Sequence, residues 1–210
     1  MAYLVLVRHG LSEYNKLGLW AGWDDPELTP EGHEEAKRTA HQLSDIQFDY
    51  GYVSVLKRAK DTFLDIKQTL NQMSLPTVEN AAINERNYGI FTGKNKWEVQ
   101  KEIGDAEFMK LRRSWDYPIP NGESLKQVYE RVVPYYEQNI KPQIQEGKNV
   151  IIVSSGNALR ALVKHLENVS DEDIPSLEIG TGEAYVYEMD ADGKVVSKDI
   201  RGENINKGKV

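Results

Sequence analysis

The sequence contains no cysteine, and this absence excludes several kinds of chemistry. Without a thiol, the chain has no disulfide framework, no thiolate nucleophile and no thiolate metal site. Its four histidines are scattered, and none lies four positions from another, as the paired ligands of a metal-binding helix do. We therefore expect an activity that does not depend on a metal ion.

Long apolar runs are also missing. No segment approaches the roughly 18 apolar residues that a membrane-spanning helix needs. The opening residues MAYLVLVRHG have no basic region and reach Arg8 too early for a signal peptide, so we expect a cytoplasmic protein without membrane association. A chain of 210 residues can form one sizeable core, and we expect a single domain over 1–210 with a flexible tail at 201–210.

The sequence lacks an excess of positive charge, since 26 Lys and Arg residues are outnumbered by 33 Asp and Glu residues and the formal net charge is -7. A chain with this balance is not expected to bind nucleic acid, whose phosphates attract surfaces rich in lysine and arginine. A small anionic ligand would have to be held by a local cluster of cations that works against the overall field.

The pattern of apolar residues predicts strands separated by helices. Strands are predicted at 3–7, 50–55, 149–153 and 184–187. Helices are predicted at about 30–44, 59–70, 96–115 (two short helices), 124–145 and 158–167. Pro134 and Pro142 should bend or interrupt the fourth of these. This order of elements predicts an α/β fold, a three-layer sandwich with a mainly parallel central sheet.

Two of the predicted strands end in unusual polar turns. The first strand runs into Arg8-His9-Gly10, and the third runs into Ser154-Ser155-Gly156-Asn157. Ligands of such sheets collect outside the carboxyl ends of the strands. If these two strands are neighbours, their turns share one pocket.

The segment RHGLSEYN, at 8–15, is suited to hold a phosphoryl group around an imidazole. It supplies a cation at Arg8, a flexible backbone at Gly10, a hydroxyl at Ser12 and an amide at Asn15. Attack through one ring nitrogen of His9 requires that the other nitrogen be held protonated, usually by a backbone carbonyl. The transition state of phosphoryl transfer also needs several converging donors, so one arginine would be too few. The alternative is a structural histidine that fills a turn.

A series of motifs follows in order along the chain: LVRHGLSEYN, WAGWDDPELTPEG, VLKRAKDT, INERNYGIFTGKNK, RRSWDYPIP, GESL and SSGNALRALVKHL. From about residue 3 to 189 the sequence resembles the cofactor-dependent phosphoglycerate mutases of the histidine phosphatase superfamily. The resemblance implies a phosphoglycerate mutase-like fold and the interconversion of 3-phosphoglycerate and 2-phosphoglycerate in glycolysis and gluconeogenesis. It also implies priming by 2,3-bisphosphoglycerate.

The resemblance implies a role for individual positions. His9 matches the histidine that becomes phosphorylated, and Glu85 matches the general acid and base that serves the substrate hydroxyl. The residues that grip the phosphate match Arg8, Asn15 and Arg58. The set that holds the substrate carboxylate and the second phosphate matches Arg86, Tyr88, Lys96, Arg112 and Arg113. Further binding positions are implied at Gly10, Ser12, Ala21, Gly22, Gly156 and Asn157.

Some of these positions also allow simpler interpretations. Arg58 could be a solvated arginine at a helix start, and Glu85 could be a surface partner of Arg86. Arg112 and Arg113 could form a basic helix end.

The second cation set bears on the type of reaction. A phosphatase releases its phosphate to water, whereas a mutase must keep a doubly charged intermediate bound while it reorients. Cations at Lys96, Arg112 and Arg113 under a lid that excludes water suit the second task and favour a mutase. A phosphatase of a small phosphorylated metabolite and a phospho-ligand-binding protein without turnover are the alternatives.

The sequence departs from the family at Ser155. In the mutases this turn reads Ala-His-Gly-Asn-Ser, and its histidine stabilises the group in transfer. Here it reads Ser154-Ser155-Gly156-Asn157-Ala158, and the following LRALVKHL fixes the register. His165 lies about two helical turns further on and cannot substitute. Loss of one such donor typically slows an enzyme by roughly 10²- to 10³-fold, so we expect a weakened mutase with Ser155 at a catalytic position.

Two smaller departures also have consequences. Ala21 stands where a hydroxyl residue is usual before Gly22, which removes another phosphate contact. The connection from Pro120 to Gly122 is short, at a place where longer mutases carry a loop that helps to close dimers or tetramers. We therefore expect a monomer or a homodimer.

Overall fold

The structure is a computed structural model that describes residues 1–202. Its strands are β1 Ala2–Arg8, β2 Tyr50–Val53, β3 Thr77–Glu79, β4 Val150–Ser154, β5 Ala184–Met189 and β6 Val195–Arg201. Its α-helices are α1 Glu13–Lys16, α2 Pro30–Gln42, α3 Lys57–Thr69, α4 Lys96–Ile103, α5 Asp105–Arg113, α6 Leu125–Tyr135, α7 Lys141–Gln145 and α8 Gly156–Glu167. Short 3-10 turns lie at Ala81–Ile83, Gly89–Phe91 and Ile174–Ser176.

The six strands form one sheet in the order β3-β2-β4-β1-β5-β6. The pairs β3 with β2, β2 with β4 and β4 with β1 are parallel, whereas β5 and β6 add two antiparallel strands at one edge. The predicted α/β fold with a mainly parallel sheet is therefore confirmed. The sequence pattern missed β3 and β6, because both are edge strands whose residues are mostly exposed.

Helices cover both faces of the sheet and make three layers. Successive side chains of β1 point to opposite faces. Val5 and Val7 belong to a core with Phe63 of α3, while Leu4 and Leu6 belong to a second core that includes α6 and α8. Among residues 1–202, no helix is long and apolar enough to cross a membrane.

The helix predicted over 124–145 is interrupted, as its prolines suggested. Helix α6 ends at Tyr135, a π-helical turn covers Tyr136–Ile140, and α7 follows. Pro134 has no N–H to donate and its ring crowds the preceding turn, which accounts for the change of helix type.

The predicted start of the last helix and the predicted start of the C-terminal tail were both wrong. Helix α8 begins at Gly156 rather than at 158, because Ser155 has an extended backbone and takes the N-cap position. Arg201, predicted to be in a flexible tail, is the last residue of β6, and its guanidinium pairs with Asp45 and Asp199. The rest of that predicted tail, 203–210, lies outside the described residues.

Candidate active site

The two polar turns meet because β1 and β4 are neighbours. Arg8 lies opposite Ser154 in the register, and the backbone N–H of His9 donates to the carbonyl of Ser154 over 2.9 Å. A cavity opens at this edge of the sheet. Of the predicted site residues, those that line it are Arg8, His9, Asn15, Ala21, Gly22, Arg58, Glu85, Tyr88, Lys96, Arg112, Arg113, Gly156 and Asn157.

The His9 ring is buried, with 2% of the residue exposed, and both of its nitrogens have partners. Nδ1 lies 2.7 Å from the carbonyl oxygen of Gly10, which can only accept, so Nδ1 carries the proton. Nε2 therefore has the lone pair, and it accepts a hydrogen bond from Arg58 Nε over 3.2 Å. Burial, assisted by the nearby charges of Arg58 and Arg8, holds the pKa of His9 well below its ordinary value. A neutral imidazole with Nε2 unprotonated is the nucleophilic form.

Arg58 is not a solvated arginine, because only 1% of it is exposed. Its Nη1 donates to the carbonyl of Asp24 and its Nη2 to that of Gly22, each over 2.9 Å. These bonds fix the guanidinium against the segment that forms one wall of the cavity. Burial lowers its pKa, and Glu85 acts in the opposite direction.

The Glu85 carboxylate is buried at the cavity wall. Its Oε1 accepts from the backbone N–H of Arg86 over 2.6 Å and of Asn157 over 3.3 Å. It is therefore not a surface partner of the Arg86 guanidinium, which donates instead to the carbonyls of Leu111 and Arg112. The loop that carries Glu85 is bound from beneath by Arg131, which donates to the carbonyls of Ala82, Asn84 and Glu85.

Three of the predicted binding residues do not line the cavity, each for a local reason. Ser12 caps α1 and donates to the side-chain oxygen of Asn15 over 2.9 Å, so its hydroxyl is already used. Gly10 allows close backbone packing, since a Cβ there would lie 2.2 Å from the carbonyl oxygen of Gly32. The Arg86 guanidinium lies under Tyr88, 4.5 Å from the ring centre, and supports that side chain.

Ser155 is fully buried beside the cavity without lining it. Although it is the N-cap residue of α8, its side chain makes no capping hydrogen bond, and its Oγ has no partner among the described residues. Two neighbours in the turn do form side-chain hydrogen bonds. Ser154 Oγ donates to the carbonyl of Ile83, and Asn157 Nδ2 donates to the Tyr88 hydroxyl over 2.9 Å.

The second group of cations comes from α4 and α5. Lys96 is the first residue of α4, and burial, together with Arg112 and Arg8, lowers its pKa to about 7. Arg112 and Arg113 are the last residues of α5, and Arg112 lies over the rings of Trp97 and Phe108. The side chain of Arg113 is 13% exposed and pairs with Glu178 over 3.0 Å. These arginines are not a solvated helix end.

The cavity has lining residues that the sequence did not indicate: Leu19, Trp20, Arg160, Glu178 and Ile179. Arg160 donates to the side-chain oxygen of Asn157 over 2.8 Å and to the carbonyl of Arg113 over 2.9 Å, so it joins α8 to α5. Burial, together with the positive charges of Arg113 and Arg86, lowers the pKa of Arg160 to about 9. Its position three residues after Asn157 on one helix face was a usable signal. No such signal exists for Glu178, which lies in a loop.

The arrangement is suited to phosphoryl transfer. It combines the neutral imidazole of His9, the buried Glu85 carboxylate and several buried cations in one cavity. Cations and backbone N–H groups stabilise charge on the equatorial oxygens of a phosphoryl group in transfer.

Comparison with known proteins agrees with this chemistry. Residues 4–199 match the model of the histidine phosphatase superfamily (branch 1). A 2,3-bisphosphoglycerate-dependent phosphoglycerate mutase of Parvibaculum lavamentivorans is 44% identical over 199 residues, which cover 94% of this chain and 95% of the relative. One of the same name from Cytophaga hutchinsonii is 46% identical and covers 90% and 88%. A phosphoglycerate mutase of Schizosaccharomyces pombe is 43% identical and covers 94% of each chain.

Solved structures share the fold at lower identity. Bacillus stearothermophilus YhfR superposes with a TM-score of 0.81 at 22% identity, covering 100% of this chain and 98% of that one. A mycobacterial glucosyl-3-phosphoglycerate phosphatase gives a TM-score of 0.82 at 21% identity, covering 97% and 99%. At these identities the likeness describes the fold alone.

Proposed function

Because the chain belongs to the histidine phosphatase superfamily, we propose that it is a phosphoglycerate mutase that works through a phosphohistidine on His9. The resemblance predicted from the motifs is confirmed by the family match and by relatives named as mutases at 42% to 46% identity. The single observation that carries the proposed mechanism is the hydrogen bond between His9 Nδ1 and the carbonyl of Gly10, which leaves Nε2 unprotonated at the cavity.

In the proposed reaction, His9 Nε2 bonds to phosphorus as the bond between phosphorus and the substrate oxygen breaks. Once Nε2 is bonded to phosphorus, the Nε–H of Arg58 that now donates to it would donate to a phosphoryl oxygen instead. Glu85 would give a proton to the departing oxygen and later take one from the hydroxyl that receives the phosphoryl group. The substrate reorients between these steps while the cations of the cavity hold it.

The residues of the cavity suit 2,3-bisphosphoglycerate as the primer. Arg8 and Arg58 lie at His9, and Lys96, Arg112 and Arg113 supply further positive charge along the wall. A ligand with two phosphates and a carboxylate is complementary to such a set. When bound, the primer supplies the phosphoryl group that charges His9.

We further propose a glycolytic and gluconeogenic role in the cytoplasm, for a single-domain protein that acts as a monomer or homodimer. The activity should be lower than that of a mutase with histidine at position 155. An activity dominated by phosphate release, or ligand binding without turnover, would be the outcome if the missing imidazole is indispensable.

The test is to incubate the protein with radiolabelled 2,3-bisphosphoglycerate and to measure acid-labile label on the protein. The label should appear in the wild type and in H33N, which changes a histidine outside the cavity, and should be absent from H9N. The same preparations are then assayed for conversion of 3-phosphoglycerate and for release of inorganic phosphate. If the folded wild type acquires no label and converts no substrate, the proposal is wrong.

A further inference from the structure

Besides Glu85, Glu178 places a second carboxylate in a cavity whose other charged lining residues are cations. It lies in the loop between the 3-10 turn Ile174–Ser176 and β5 and lines the cavity, and its Oε2 forms an ion pair with Arg113 Nη2 at 3.0 Å. The side chains of Glu178 and Arg113 are only 12% and 13% exposed. Water therefore screens their charges little, and the field of Glu178 extends into the cavity.

The charge of Glu178 reaches more than one cation. Burial lowers the pKa of Arg8 and that of Arg112, whereas the negative charge of Glu178 raises both. Glu178 therefore lies close enough to influence both guanidinium groups. Within the second cation group, Arg113 is thus partly neutralised before any ligand binds. Lys96, with a pKa of about 7, adds only part of a positive charge at neutral pH.

We propose that Glu178 is a specificity-determining residue that limits the affinity of this cavity for ligands with a second phosphate. A ligand with one phosphate places that group at His9 and Arg58 and leaves Arg113 with its internal counter-ion. The second phosphate of a bisphosphate must share Arg113 with Glu178 or displace it. Juxtaposed like charges at low exposure oppose binding, and the penalty grows with the charge of the incoming group.

This inference rests on the proposed function and deepens it. A mutase keeps its bisphosphate bound between the two phosphoryl transfers. If the affinity for the bisphosphate is lower, the bisphosphate dissociates more often and leaves His9 unphosphorylated. Glu178 therefore sets how much 2,3-bisphosphoglycerate the enzyme needs in solution to remain primed. Its replacement by a neutral residue should lower that requirement.

The test is equilibrium binding with probes that cannot transfer a phosphoryl group. Butane-1,4-bisphosphonate has as many atoms between its phosphorus atoms as 2,3-bisphosphoglycerate has, and butylphosphonate is its single-anion counterpart. Calorimetry at pH 7 compares the wild type with E178Q, whose amide oxygen can still accept from Arg113. We expect E178Q to bind the bisphosphonate about tenfold or more tightly, with a much smaller change for butylphosphonate.

Further variants make the comparison decisive. E167Q removes the same unit charge from an ion pair with Lys198 that does not line the cavity, and it should change neither affinity. E178D keeps the charge and should discriminate between the probes as the wild type does. If E178Q does not fold, E178S removes the charge with a smaller polar side chain and should show the same gain for the bisphosphonate. Equal shifts for the two probes in E178Q, or no shift, would overturn the inference. Because the probes report binding alone, that result would stand apart from any failure to find mutase activity.

Discussion

Arg58 Nε donates a hydrogen bond to His9 Nε2 over 3.2 Å, at the nitrogen that would bond to phosphorus. The same guanidinium donates to the carbonyls of Gly22 and Asp24, so its position does not depend on the histidine. Burial first, and the Arg58 charge second, lower the pKa of His9 and keep its imidazole neutral in the free protein. Arg58 is also already in place to donate to a phosphoryl oxygen.

The first prediction follows from this pair. In R58M the charge of Arg58, one of the causes of the low His9 pKa, is removed, so the pKa should rise but stay below its ordinary value because the ring remains buried. Proton loss from His9 would then occur at higher pH, as ¹⁵N NMR of the imidazole can follow. The rate of His9 phosphorylation should fall by roughly 10²-fold or more. An unchanged pKa would show that burial alone accounts for the neutral ring.

The second prediction concerns the missing imidazole. S155H should raise kcat for 3-phosphoglycerate by at least tenfold, and by about 10² to 10³ if the new ring reaches the transferring group. Steady-state assays with excess primer measure the change. The S154H variant is the control, because Ser154 lies in β4 and its hydroxyl is bound to Ile83. A folded S155H protein without any gain would favour ligand binding or a different substrate.

The third prediction is about stability. Ser155 Oγ is buried without a partner among the described residues, and a buried unsatisfied hydroxyl costs about 1 to 3 kcal/mol. S155A should therefore keep or raise the free energy of unfolding, by up to about 1 kcal/mol, in urea titrations. S154A should lower it, because it breaks the hydrogen bond to Ile83. A clear loss of stability in S155A would mean that the hydroxyl has a partner in solution, such as a bound water.

The sequence predicted most of the residues that line this cavity, the two polar turns from local signals and the other residues from the resemblance to the family. The apolar runs of β1 and β4 are followed directly by polar turns, and helix signals such as Thr29-Pro30 at the start of α2 depend on neighbours in sequence. Ser12 was predicted to bind the ligand but does not line the cavity, because its hydroxyl caps α1 and donates to Asn15.

What the sequence could not supply are contacts made only by the folded chain. Glu178 meets Arg113 across a separation that no periodicity describes, and the pairing depends on how the loop before β5 packs on α5. The edge strand β6 has mostly exposed residues, so its pairing with β5 rests on backbone hydrogen bonds rather than on an apolar pattern. The periodicity of apolar side chains predicts neither the Glu178–Arg113 pair nor the β5–β6 pairing.

The fourth prediction is a pH dependence of ligand affinity. Lys96 has a pKa of about 7 in the free protein, below its ordinary value, so it loses its charge as pH rises through neutrality. Only the charged form attracts the second phosphate of a bisphosphate, and a bound anion raises the pKa, so the affinity of the wild type for butane-1,4-bisphosphonate should fall relative to that of K96R as pH rises from about 7 to 9. Arginine stays charged in K96R and the ionisation of the probe is common to both proteins, so the difference between their pH profiles in calorimetry reports Lys96. Equal slopes in both proteins would exclude Lys96 as the group responsible.

The fifth prediction concerns Arg131, which does not line the cavity yet donates to three carbonyls of the loop before Arg86, those of Ala82, Asn84 and Glu85. Its guanidinium is held by Glu123, with contacts of 2.7 and 2.9 Å. In R131M the Glu85 carboxylate should lose its fixed position, so kcat should fall by about tenfold or more while KM changes little.

A positioning role can be separated from a general loss of stability. R131K keeps a cation but not the forked donors, and it should recover only part of kcat. R201M removes a partly exposed arginine from a remote edge and should leave kcat unchanged. If R131M changes KM and kcat in proportion, or only lowers the fraction of folded protein, then Arg131 supports the fold without setting the geometry of the general acid. A selective loss of kcat with a shifted pH profile identifies the loop that it binds as the part of the scaffold that aligns Glu85.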